Sequence, residues 1–181
     1  MLLPTIEAVI RIRSFILTQS RYEFGYVSHA AAAGLKAILR ELDILIAQLE
    51  NQMLTSRLSI QRMMYLLQPT ITTIKILNNI VTRCSNLSGG AFLDALHSLV
   101  SQQGDEKALT IATHLLQLAA EPFLTMLIKW IYHGELSDPY AEFMIQEDLS
   151  LSKDTLEQDF NAQYWENRYY NSSFLTIHFF L

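Results

Sequence analysis

The feature that most constrains the fold of this chain is one long run of apolar residues at helical spacing. Between Tyr26 and Met53 these residues recur every three or four positions: Val27, Ala31, Leu35, Ile38, Leu42, Leu45, Leu49 and Met53. Because an α-helix has about 3.6 residues per turn, they lie along one face, on a helix about 40 Å long. Its early part, Ala30 to Gly34, carries no bulky side chain. We therefore predict a close crossing with another helix at this run.

Four other segments show the same period, and breaks separate them. They are residues 3–17, 58–82, 92–100 and 105–132. Proline lacks the N–H group of a helix interior, so Pro69 is expected to kink its helix and Pro122 to begin a separate one. Gly134 is the natural residue to end the last helix. With only 6 Gly and 4 Pro, the chain is predicted to be all-α, an elongated helical bundle.

The stretch after Gly134 is less regular. A turn signal, Ser137-Asp138-Pro139, precedes residues 140–145, where large apolar residues alternate with Ala and Glu. Alternation is typical of a strand, so a short extended segment near 140–145 is an open alternative to a turn. A further short helix is predicted from Asp154 to Tyr164, with Ser152 or Asp154 as its cap.

Charge and cysteine content exclude several partners. The chain has 13 Lys and Arg against 18 Asp and Glu, a net charge of −5, and no strongly basic cluster, so nucleic acid is not expected to bind. The single cysteine, Cys84, excludes an intramolecular disulfide and fits the reducing cytosol. No signal peptide is recognisable, and no long apolar run is free of charge, so neither a transmembrane helix nor a membrane partner is expected.

No catalytic, cofactor or metal site is predicted. The five His residues have no Cys or carboxylate partners at zinc-ligand spacing. Gly89-Gly90 lacks the flanking pattern of a nucleotide-binding loop. Asp138 and Glu142 lie four residues apart and resemble a carboxylate pair, but a turn cap and an exposed charge explain them more simply. We therefore expect no enzymatic activity.

Aromatic residues concentrate around the turn, in the segment W-I-Y-H-G-E-L-S-D-P-Y-A-E-F-M-I, residues 130–145. Composition alone indicates a packed hinge. This segment resembles the Grip-motif signature of the γ-tubulin complex proteins, in which a helix ends at a glycine and D-P-x-x-E-F follows. Residues 22–33, the Leu67-Gln68-Pro69-Thr70 stretch and residues 164–169 fit the component 2 branch of that family. The resemblance covers residues 3 to 169.

The resemblance implies a non-enzymatic scaffold. In this family an N-terminal Grip region packs beside neighbouring complex proteins, and a C-terminal Grip domain holds γ-tubulin in the ring that templates a microtubule. Residues 1–170 are expected to be part of the first region, and residues 171–181 an apolar tail outside the family pattern. Other γ-tubulin complex proteins are the expected partners, component 3 first. Direct γ-tubulin binding is expected of the full-length protein rather than of this chain.

The expected location is the cytoplasm and cytoskeleton, at microtubule organising centres and spindle poles. Residues flanking the signature turn are the candidate partner contacts: Tyr132, Asp138, Tyr140 and Phe143. The alternative is a generic all-α interaction scaffold unrelated to microtubules, in which the aromatic segment is core.

Overall fold

The computed structural model describes residues 2–55, 58–148, 165 and 168–171. In this part of the chain there are five α-helices: α1 Leu2–Gln19, α2 Gly25–Leu54, α3 Ile60–Cys84, α4 Gly89–Gln102 and α5 Glu106–His133. A 3-10 turn, Tyr22–Phe24, joins α1 to α2. The predicted class, an all-α helical bundle, is confirmed.

The longest helix, α2, is the centre of the bundle. Helices α1, α4 and α5 all pack against it, and α3 packs chiefly against α1 and α4. One contiguous apolar core joins the five helices, and its fully buried side chains include Ile12, Val27, Leu35, Leu77, Phe92, Leu96 and Leu115. On α2 most of the predicted apolar stripe meets this core, since Val27, Ala31, Leu35, Leu42 and Leu49 are buried, although Met53 is 60 % exposed.

The predicted close crossing lies between α2 and α5. Ala31, Ala32 and Gly34 are buried, and a Cβ on Gly34 would lie 2.8 Å from Cδ1 of Leu118 on α5. Small residues on one helix thus admit leucines of the other.

Helix α5 continues through Pro122, so the prediction that this proline begins a separate helix was wrong. A proline inside a helix costs about 3 kcal/mol. Phe123 and Met126, just beyond it, are buried in the same core. Burying one large apolar side chain contributes about 1.5–3 kcal/mol, so an unbroken helix that buries both offsets the loss.

Helix α3 likewise continues through Pro69. The carbonyl of Pro69 accepts hydrogen bonds from Oγ1 of Thr73 at 3.1 Å and from Nζ of Lys107 on α5 at 3.0 Å. The proline position therefore also joins α3 to α5.

Among the described helices, α5 is the one long and apolar enough to cross a membrane by length and composition. The prediction of no transmembrane helix required a long apolar run without any charged residue, so it did not identify α5. Ala112, Leu115 and Ala119 are buried in the core that α5 shares with α2 and α4. Packing within the bundle therefore explains why these positions of α5 are apolar.

After α5 the chain forms a small antiparallel ribbon, β1 Ile145–Glu147 with β2 Tyr169–Asn171. Ile145 pairs with Asn171, and Glu147 pairs with Tyr169. The extended residues thus begin at the end of the 140–145 segment, and turns and bends precede them. The helix predicted from Asp154 to Tyr164 lies outside the described residues.

Candidate functional site

The segment from Gly134 to Asp148 follows the last helix and contains the signature turn. Gly134 ends α5 as predicted, in the left-handed conformation (φ 65°), and its N–H donates to the carbonyl of Trp130 at 3.0 Å. Glycine adopts this conformation without the steric cost of a side chain.

Asp138 organises the turn. Its carboxylate accepts hydrogen bonds from the backbone N–H of Tyr140 at 3.3 Å and of Phe143 at 2.6 Å. Short acidic side chains commonly stabilise turns in this way. Ala141, inside the loop so formed, has a positive φ of 54°, a conformation that costs a non-glycine residue about 1–2 kcal/mol. The interpretation of Asp138 as a turn cap is confirmed.

Glu142, by contrast, is not the exposed charge that the sequence indicated. It is only 4 % exposed. Its carboxylate accepts hydrogen bonds from the N–H of Tyr26 at 2.6 Å and of Val27 at 3.2 Å, and the N–H of Gly89 donates to it as well. The charge therefore lies at the first turns of α2 and α4.

The first N–H groups of a helix have no acceptor within that helix. Phe24 and Ser88, the capping residues of α2 and α4, form no side-chain capping hydrogen bond. Glu142 supplies the missing acceptor to both helices, and the positive ends of their dipoles favour its negative charge. One carboxylate thus replaces two local caps.

Two glycines make room for Glu142. Gly25 has a φ of +88° and Gly89 a φ of +55°. A Cβ on Gly25 would overlap Cδ of Glu142, and one on Gly89 would lie 3.0 Å from its Cα. Both glycines fall in the breaks between the predicted helices, and the sequence analysis did not predict this contact. The available signal was that Phe24, before α2, has no side-chain oxygen to cap the helix.

Burial raises the pKa of the Glu142 carboxyl, the three backbone N–H donors lower it, and the negative charge of Asp138 adds to the increase. The ion pairs of Arg13 with Asp43 and of Arg168 with Glu147 do not include Glu142. Its carboxylate is held instead by hydrogen bonds from the backbone N–H groups of α2 and α4.

Phe143, adjacent to Glu142, is fully buried and packs against Phe123 of α5, with ring centroids 5.4 Å apart. Its side chain therefore offers no surface to a partner, which corrects its selection as a contact residue. Tyr140 is half-buried, and its ring meets that of Tyr26 edge to face at 5.1 Å.

The small ribbon has its own polar contact. Arg168 donates from Nη2 and Nε to Oε1 of Glu147, at 2.6 and 2.8 Å. The ring of Tyr169 lies 4.8 Å from that of Trp130 and stacks on Trp165 at 5.7 Å. The ribbon therefore contacts the last turns of α5.

Tyr132 is 77 % exposed and belongs to an apolar patch on the outer face of α5. We call Leu124, Ile128, Ile131 and Tyr132 the α5 patch; their exposure ranges from 40 to 77 %. Spacings of three and four residues put them on one side of the helix. Contiguous exposed apolar residues of this kind mark interaction surfaces.

Metal-ligand clusters and reactive thiols were sought among the described residues. In residues 2–148, with 56 and 57 excepted, and at the described ribbon positions, no three His, Cys, Asp or Glu side chains gather as a metal site would require. Cys84 is fully buried, and burial raises the pKa of its thiol to about 12, so it is an inert core residue.

The comparisons with known proteins point to one family. A family model described as "Gamma tubulin complex component N-terminal" matches residues 1–177. The chain is 35% identical to mouse gamma-tubulin complex component 2 over 93% of its own length, and 34% identical to the Arabidopsis thaliana component 2 over 92%. It is 27% identical to the Schizosaccharomyces pombe spindle pole body component alp4 over 88%. It spans 19, 25 and 26% of the lengths of these three relatives.

Proposed function

Because this chain belongs to the γ-tubulin complex component family, we propose that it is a non-enzymatic scaffold that contacts neighbouring complex proteins side by side. Through these contacts it supports the assembly that nucleates microtubules. Component 3 is the first partner to test. Association with γ-tubulin itself is assigned to the full-length protein, at the spindle pole or another organising centre.

The α5 patch is the observation that carries this proposal. A folded bundle that leaves Ile128, Ile131 and Tyr132 more than half exposed has an apolar face suited to another protein, since buried aromatic and aliphatic anchors supply most of the affinity of protein interfaces.

The other predicted contact residues have different parts in this proposal. Tyr140 rests on Tyr26, which is 45 % exposed, so this pair can extend the contact surface. Asp138 shapes the turn that presents Tyr140, and Phe143 secures that turn from inside. We assign direct contact to Tyr132 and Tyr140 and indirect support to Asp138 and Phe143.

Size-exclusion chromatography with light scattering tests the proposal. We expect this chain to form a heteromeric peak with the N-terminal region of a component 3 protein. A folded monomer that ignores this partner would contradict the lateral contact by this chain and would locate that contact elsewhere in the full-length protein.

A further inference from the structure

A cleft of about 780 Å³ opens between α1 and the last turns of α3. This volume is within the range of clefts that hold ligands in proteins. Phe15 and Val81 are among its apolar lining residues, and Glu7 and Arg11 are its charged ones. Because one acid and one base offset each other, the lining has no formal net charge. The cleft is therefore suited to a neutral group on an apolar stem.

The polar side chain that points to a ligand is Gln19, the last residue of α1. It lines the cleft and is only 5 % exposed. Its Oε1 atom is buried, and within the described part of the chain no group donates a hydrogen bond to it. A buried carbonyl oxygen without a donor costs stability, so native proteins rarely leave one unpaired. An N–H group inserted into the cleft would supply the missing donor.

Three hydroxyl groups of the lining already use their protons elsewhere. Thr18, Thr82 and Ser85 each donate to a backbone carbonyl three or four residues earlier, at 2.7–3.1 Å. A hydroxyl has one proton, so toward the cleft these oxygens only accept. With Oε1 of Gln19 they call for a ligand that donates. A primary carboxamide is neutral, has two N–H donors, and has a carbonyl oxygen that can accept from Arg11.

Beside the cleft, the outer face of α1 is apolar. Leu3, Ile6, Ile10 and Leu17 are 54–75 % exposed, and their spacings of three, four and seven residues put them on one face, which we call the α1 stripe. The opposite face, with Ile12, is buried in the bundle. Ile10 also lines the cleft, so stripe and cleft form one surface. A small molecule in the cleft would leave the stripe uncovered, whereas a partner helix with apolar residues at the same spacing would cover it.

We propose that this surface binds a helix of a protein partner, which inserts an Asn or Gln side chain into the cleft and donates an N–H to Oε1 of Gln19. Apolar residues of the same helix cover the α1 stripe. An apolar side chain in the cleft would leave Oε1 unpaired, so the amide makes the contact selective. The α5 patch lies on a different helix, so this inference does not rest on the proposed contact with component 3.

The carboxamide is tested with benzamide and acetophenone, two fragments of similar shape of which only benzamide has N–H donors. NMR titrations of the whole chain follow the backbone amides of Phe15, Gln19 and Val81. We expect the wild type to bind benzamide on the order of tenfold more tightly than acetophenone and Q19M to show no preference. Q61M, which removes an exposed glutamine of α3, should match the wild type. Failure of the wild type to prefer benzamide, or a preference that survives in Q19M, would overturn the carboxamide site.

Thermal melting separates a binding role of Gln19 from a structural one. Methionine has nearly the size of glutamine but lacks the amide, and the free chain leaves Oε1 unpaired. Q19M should therefore melt at the same temperature as the wild type or higher. A lower melting temperature would show that the amide is paired within the fold, which would overturn the site.

Two synthetic helices test the protein partner. Both have the length of α1, 18 residues, and leucines at the spacing of the α1 stripe; one has a glutamine beside them and its twin has a methionine there. We expect the wild type to bind the glutamine helix on the order of tenfold more tightly than the twin, and I10S to bind both more weakly. If benzamide binds but the glutamine helix has no advantage over its twin, the cleft takes a small amide and the protein partner is overturned. Undiminished binding by I10S would likewise exclude the stripe.

Discussion

The carboxylate of Glu142 lies 2.6 Å from the backbone nitrogen of Tyr26, 116 positions earlier in the chain. This hydrogen bond places the end of the described bundle on the beginning of its central helix. It also gives the D-P-x-x-E-F signature a physical basis. Asp138 folds the turn, Glu142 caps two helices, and Phe143 fills the core beside Phe123.

The glycines that admit Glu142 should not tolerate a side chain. G25A combines a strained positive φ with an overlap between the new Cβ and Glu142. We expect it to lower the free energy of unfolding by about 2 kcal/mol or more, measured by urea denaturation. G104A is the matched control, because a Cβ on Gly104 would meet no atom within 4 Å, and it should change stability by less than about 0.5 kcal/mol.

The raised pKa of Glu142 predicts a pH dependence of stability with a definite sign. A folded-state pKa above the ordinary value of about 4.3 means that the folded state holds this proton more tightly than the unfolded state does. The stability that this group contributes is present below about pH 4.3 and is lost as the pH rises through the folded-state pKa.

Urea denaturation of the wild type and E142Q between about pH 4 and 7 checks this sign. The wild type should lose stability relative to E142Q as the pH rises. A relative gain by the wild type would show that the N–H groups of Tyr26, Val27 and Gly89 outweigh burial and that the pKa is lowered instead. E135Q serves as the control for general charge effects.

Phe143 should act on stability rather than directly on a partner. F143A removes a fully buried ring that packs on Phe123, and we expect a loss of about 3–5 kcal/mol in the free energy of unfolding. Y132A, at an exposed position, should change it by less than about 0.5 kcal/mol. A small effect of F143A in the same denaturation series would show that this ring is not part of the core.

Cys84 should be unreactive in the folded chain. Its thiol is fully buried, and its pKa is raised to about 12 by burial, so the thiolate that attacks thiol reagents is scarce at neutral pH. We expect a disulfide-exchange reagent to label it rapidly in urea and only on the timescale of opening without urea. Fast labelling under native conditions would contradict the packing around α3 and α4.

The sequence predicted the helices well, because their apolar residues repeat at 3.6 positions and this period needs no knowledge of partners. It predicted the end of α5 at Gly134 and the role of Asp138, which depend on neighbours a few residues away. The sequence predictions were wrong where contacts between distant residues determine the structure. The course of α5 through Pro122 depends on a shared core, and the burial of Glu142 depends on Tyr26, Val27 and Gly89. The local sequence pattern indicates neither of these contacts.

The choice of candidate contact residues shows the same limit of prediction from sequence. Tyr132 and Phe143 were selected together because both flank the signature turn, yet one is 77 % exposed and the other is fully buried. A core-facing stripe and a partner-facing stripe have the same period, so only the packing of α5 separates the exposed Ile128 and Ile131 from the buried Phe123 and Met126.

The most direct test of the central claim is the affinity of this chain for the N-terminal region of component 3, compared between Y132S and Y65S. Both tyrosines are exposed to nearly the same extent, 77 and 79 %, but Tyr65 lies on α3, away from the α5 patch in the sequence. We predict that Y132S weakens binding by on the order of tenfold or more and that Y65S leaves it unchanged. Equal binding by both variants, with both folded, would contradict docking through the α5 patch.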